Sequence, residues 1–167
     1  MNDRSRSKYS GKGSKSILPQ RAVVGKQHGK IQHQEILLTS THFRNFIDMY
    51  RDDVLSQKTR TVRLLGRKNP AKIIHTLLGY EVQASYKRIH CPDLVTARYI
   101  RLFSEIGCHS IQLPYDPTLT ARLIPELESM VDNIIKKIRE LFPQEPPTQR
   151  YAIQKAYGII RRQLRSR

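Results

Sequence analysis

Apolar side chains are dense only between Glu35 and Phe142, and that confinement sets the outer limit on what the chain can fold into. Ile, Leu, Val, Phe and Tyr recur there often enough to exclude full disorder. A body of 108 residues, 35–142, holds one hydrophobic core and not two. The flanks are of another kind. Residues 1–34 carry 8 basic and 1 acidic side chains, residues 143–167 carry 6 and 1, and the middle carries 16 and 12. Of a net charge of +16, twelve units therefore sit on the two ends, which together make about a third of the 167 residues. The sequence thus predicts a mildly basic compact domain over 35–142 between a basic N-terminal arm, 1–34, and a proline hinge with a basic helix, 143–167.

The arm alternates Ser, Gly and Lys with few apolar anchors beyond Ile17, Leu18, Val23 and Val24, a composition expected to be disordered in isolation. Gly11-Lys12-Gly13-Ser14-Lys15-Ser16 looks like a phosphate loop but misses the Gly-x4-Gly-Lys-Ser/Thr spacing, and no strand precedes it. The basic start is not followed by an apolar segment of secretory type, which argues against a signal peptide. A transit peptide for organellar import is the rival reading of the same residues, since such segments are basic, Ser-rich and acid-poor. No run approaches the roughly 18 apolar residues of a spanning helix. Two cysteines, Cys91 and Cys108, are too few for a disulfide framework and fit a reducing compartment, so a cytoplasmic or nucleoid-associated protein is expected.

Within the body, Phe43, Phe46, Ile47, Tyr50, Val54 and Leu55 recur at helical steps and predict a helix over about 41–57. Thr59–Leu65 alternates and is rich in β-branched residues, which predicts a strand stopped by Gly66. Asn69-Pro70 supplies a cap and a first-turn proline, so a short helix carrying Ile73, Ile74, Leu77 and Leu78 is expected before Gly79. Tyr80–His90 reads as one strand. Asp93 opens a helix with the stripe Val95, Tyr99, Leu102, Phe103 and Ile106, closed by Gly107. Cys108–Leu113 reads as a strand, and Pro114–Pro117 as a turn. Leu127, Val131, Ile134, Ile138 and Leu141 mark a helix over about 124–142, with acidic residues early and basic ones late. A last helix, about 148–165, has Ile153, Ala156, Tyr157, Ile160 and Leu164 on one face. The fold class is α/β or α+β, a small three-stranded sheet with packed helices.

His90-Cys91 and Cys108-His109 flank one helix, but neither pair has zinc-finger or zinc-ribbon spacing, and strand neighbours point to opposite faces. Buried structural thiols are the expectation. Asp48, Asp52, Asp53, Glu81 and Asp93 are the carboxylates available to a metal-dependent nuclease, with no compact cluster among them in the sequence. No catalytic residue, metal ligand or cofactor is assigned. Basic groups form the persuasive set. Arg60, Arg63, Arg67, Lys68 and Lys72 surround the expected helix start at Asn69-Pro70, where free N–H groups would join them on phosphate. Tyr86 stands with Lys87 and Arg88, an aromatic among cations suited to an unpaired base. Lys155, Arg161, Arg162 and Arg165 form the polar face of the last helix. The sequence therefore points to a non-catalytic nucleic-acid-binding protein, preferring RNA over DNA for its tyrosines and arm chemistry, in the manner of a ribonucleoprotein component. The alternative is a basic interaction subunit whose last two helices dock on an acidic protein partner or larger assembly, and the third reading is the small nuclease.

Overall fold

A computed structural model describes residues 44–66 and 70–165. The arm 1–34, Arg67, Lys68 and the expected cap Asn69 lie outside the described residues. Helix α1 covers 44–54, and its last stretch, Tyr50–Val54, is a π-turn closed by Leu55 N–H on Tyr50 O at 3.2 Å. Strands follow at Thr59–Arg63 (β1), Ala71–Thr76 (β2), Gly79–Ala84 (β3) and Lys87–Cys91 (β4). Helix α2 is Leu94–Ile106, strand β5 is Ser110–Pro114, and the chain continues into α3, Pro117–Leu141, and α4, Pro146–Arg165. β2, β3 and β4 form a three-stranded antiparallel meander, while β1 pairs antiparallel with β5 in a separate two-stranded ribbon. The described residues form a mixed α/β fold with four helices, a small antiparallel three-stranded sheet and the two-stranded ribbon.

Of the three expected strands, Thr59–Leu65 and Cys108–Leu113 form as β1 and β5 but pair with each other in the ribbon, and only Tyr80–His90 contributes to the three-stranded sheet. The expected helix after Pro70 is instead β2, so no helix N-terminus stands there. Ile73 and Ile74 point to opposite faces of a strand, and Leu77-Leu78 form the two-residue turn between the paired Thr76 and Gly79. Tyr80–His90 is likewise two strands, folded at Ser85-Tyr86, between the paired Ala84 and Lys87. Ser85 adopts φ +56°, the left-handed region such tight turns demand. The reversal puts Tyr80, Val82 and Ala84 on the core face and sends Arg88 to the outer one, separating residues that a single strand would have aligned.

Helix α2 lies at the centre, touching the meander, α3 and α4. Asp93 caps it, its carboxylate accepting from Thr96 N–H at 2.7 Å, and Gly107 closes it at φ +87°. Phe103 is fully buried and gathers Phe46, Tyr50 and Tyr99, with ring centroids at 5.9, 5.5 and 4.8 Å. Helix α3 begins earlier than its apolar stripe suggests: Asp116 accepts from Thr118 N–H at 2.8 Å and Pro117 fills the first turn. Pro125 stands inside α3 on its exposed side. Because the helix starts at Pro117, Glu126 and Glu128 are interior positions and not first-turn charges. Glu128 instead reaches across to α2, where it pairs with Arg98 and, at 3.1 Å, with Arg101. Helix α4 buries Ala152, Ala156, Tyr157 and Ile160 in the same core.

Candidate nucleic-acid interface

The geometry starts from β5. In an antiparallel ribbon alternate residues share a face, and the register sets Thr59 opposite Pro114, Thr61 opposite Gln112 and Arg63 opposite Ser110. Thr59 and Thr61 hydroxyls both donate to Gln112 Oε1 at 3.2 Å, so this outer face is a polar shelf with its carboxamide held in place. The inner face, Val62, Ile111 and Leu113, packs into the core. The main chain of Gln112 is held as firmly as its side chain. Its N–H donates to Tyr50 Oη at 2.8 Å, and its C=O accepts from Tyr99 O–H at 2.8 Å. Burial pushes the Tyr50 phenol up to about 12 and raises that of Tyr99 well above its ordinary value, so both hydroxyls keep their protons.

Beside this shelf runs a groove of about 1060 Å³ between the end of α1, the ribbon and the last turns of α4. Its lining includes Arg51, Arg161 and Arg165, with His109, Ser110 and Gln112, and no Asp or Glu. Arg51 is steered by a 3.3 Å hydrogen bond to Gln163 O on α4. His109 lies over Gly66, where an added Cβ would come within 1.9 Å of its ring. Cys108 also lines the groove, and burial pushes its thiol up to about 12 although Arg161 and Arg165 draw it the other way. A second groove, between the end of α3 and the start of α4, is of mixed sign, with Asp132 and Glu140 beside Lys136 and Arg139. Only the first concentrates one charge.

The expected basic residues divide between two places. Arg161 and Arg165 line the groove. Arg63 is exposed at the end of β1, and Lys87 donates from Nζ to Arg63 O at 2.6 Å, which ties the Ser85-Tyr86 turn to the ribbon. Tyr86 is 87% exposed on that turn. Lys72, Gln83 and Arg88 form one cross-strand row on the outer face of the meander. Arg88 lies 3.9 Å from Glu81 and remains largely exposed. Three expected residues stand apart. Arg60 is on the opposite face of β1 from Arg63, near enough to Cys91 to act on its thiol. Lys155 and Arg162 lie roughly a quarter of a turn round α4 from Arg161 and Arg165. Sequence reasoning missed Arg51, His109, Ser110 and Gln112, whose only shared property is an approach between distant segments.

Several carboxylates are committed elsewhere: Asp93 and Asp116 cap helices, Asp53 pairs with Arg122 at 3.4 Å, and Glu81 faces Arg88, while Asp48 and Asp52 are exposed on α1. Among the described residues no three of His, Cys, Asp and Glu come together as a metal-binding group. Cys91 and Cys108 are buried free thiols, while His90 and His109 are exposed. Among the described residues no helix is long and apolar enough to cross a membrane. Comparison with protein-family models, with curated proteins and with solved structures finds no match to this chain.

Proposed function

We propose that the protein binds nucleic acid without catalysing its conversion, holding phosphates along a basic track on one side of the body. The observation that carries this reading is the groove of Arg51, Arg161 and Arg165 without a carboxylate in its lining, in a body whose other charges are interspersed. Arg63 continues the track, since its partner Ser110 lines the same groove. Guanidinium forks suit phosphate oxygens, and a one-sign cleft raises local polyanion concentration. RNA is the favoured polymer, with Tyr86, Tyr115 and Tyr151 exposed for base contact. Two buried reduced thiols accord with a cytoplasmic or nucleoid-associated setting.

The test is anisotropy of a labelled RNA 20-mer with the full chain across a salt series. Each phosphate contact on a single strand contributes about 0.7 to the slope of log K against log salt. Arg63→Glu, Arg161→Glu and Arg165→Glu together should therefore flatten the slope by about 2, with the melting temperature retained. A folded triple variant with the wild-type slope would refute the reading. One observation favours a second, a protein partner: Leu77 and Leu78 are 104% and 84% exposed at the β2–β3 turn. Gly79 there approaches the Cys91-Pro92 backbone, which brings the turn towards half-exposed Leu94. This differs from docking through the last two helices, whose apolar faces are spent on the core.

A further inference from the structure

We infer that the nucleic acid is taken as a single strand, with one unpaired base stacked on Tyr86 while its flanking phosphates run to Arg63 on one side and to Lys72 and Arg88 on the other. This rests on the reading above and narrows it. The ring at the β3–β4 turn is 87% exposed, so it adds nothing to the core. It is nonetheless placed with care. The turn has only two residues, Ser85 is held at φ +56°, and Lys87 anchors the turn through the 2.6 Å bond to Arg63 O. An aromatic ring presented on a short, tied turn loses little freedom on binding, which is the condition for an effective stacking platform.

Cations stand on both sides of that platform. Arg63 ends β1, and Lys72 and Arg88 flank Gln83 in the row just inside the turn. From Arg63 the polar shelf of β1 extends roughly 13 Å to Thr59, at 3.3 Å per residue, and Thr59 itself borders the arginine groove. The platform therefore adjoins, through Arg63, the groove that runs beside the shelf. A duplex keeps its bases stacked on each other and offers this ring only backbone, whereas an unpaired base has a free face for it.

The full chain is titrated with a single-stranded 20-mer and with a blunt 20-base-pair duplex of two complementary strands, using wild type, Tyr86→Ala, Tyr86→Phe and the double variant Arg161→Glu/Arg165→Glu. Stacking of one base predicts that Tyr86→Ala weakens single-strand binding by roughly 5- to 150-fold. Tyr86→Phe should retain it, and duplex binding should be unmoved by either. Equal single-strand affinity in Tyr86→Ala, or an equal loss on duplex, overturns the inference. If the arginine variant loses affinity while Tyr86→Ala does not, the groove reading survives and the stacking inference alone falls. If wild type binds neither polymer, both fall.

Discussion

Removing the Tyr99 hydroxyl is the sharpest probe of how the shelf is held. Tyr99 is fully buried, and its O–H donates to Gln112 O at 2.8 Å. Tyr99→Phe keeps the ring and its contact with Phe103 but leaves a buried carbonyl without a donor, at a cost of about 1–3 kcal/mol. For a body near 100 residues, about 4 °C per kcal/mol predicts a fall in melting temperature of roughly 4–12 °C. Tyr50→Phe takes the acceptor from the N–H of the same residue and belongs in the same range. Because both hydroxyls serve one residue and also interact with each other, the double variant should depart from additivity by at least about 0.5 kcal/mol. Urea and thermal unfolding followed by far-ultraviolet circular dichroism measure the cost, with the exposed Tyr151→Phe as control. Faster hydrogen exchange at the Gln112 amide in Tyr50→Phe locates it. If Tyr99→Phe melts with Tyr151→Phe, the two phenols do not hold β5 and the account of the shelf is wrong.

Alkali should destabilise the fold in a defined window. Burial raises Tyr50 and Tyr157 to about 12, Cys91 to about 11 and Cys108 to about 12, all above their unfolded values, so the fold favours the protonated forms. Their contribution is complete below about pH 9 and is lost as pH rises towards 12, at about 1.4 kcal/mol per pH unit for each group between its two values. Urea midpoints unchanged from pH 8 to 11.5 would contradict this. Gly66→Ala should cost about 1–2 kcal/mol from φ +73° alone and should displace His109, read as a changed His109 ring resonance in a folded but less stable protein.

Helix α2 was legible because all its signals are local: an Asp cap, an apolar stripe and a terminal Gly within fifteen residues. The Pro70–His90 stretch was not, and the reason is specific. Ile73, Ile74, Leu77 and Leu78 satisfy a helical spacing, yet β2 exists only because β3 lies beside it, and pairing between strands leaves no mark on either one's period. The turns that create the pairing are Leu77-Leu78 and Ser85-Tyr86, neither with the Asn-Gly or Asp-Gly composition that announces a hairpin. The start of α3 was hidden differently. Asp116-Pro117 is equally good as a turn and as a cap with a first-turn proline, and only the structure chooses. At the candidate interface, the charges of α4 were visible in the sequence, but the groove also needs Arg51, more than a hundred residues away, and the strand edge of β5. Tyr86 was readable as an aromatic among cations, while its place on a turn was not.

The two phenols on Gln112 also decide how far the ribbon can grow. A strand edge with unclaimed N–H and C=O groups recruits strands from other molecules and seeds aggregates. On β5 the outward pair of Gln112 is already occupied by Tyr50 and Tyr99, and the ring of Phe103 packs behind both. An incoming strand would have to displace these two part-buried hydrogen bonds before making its own. Under the proposed reading the protein would be concentrated on a polyanion alongside other copies of itself, where self-templating edges are most dangerous, and the two phenols that hold Gln112 also close that edge.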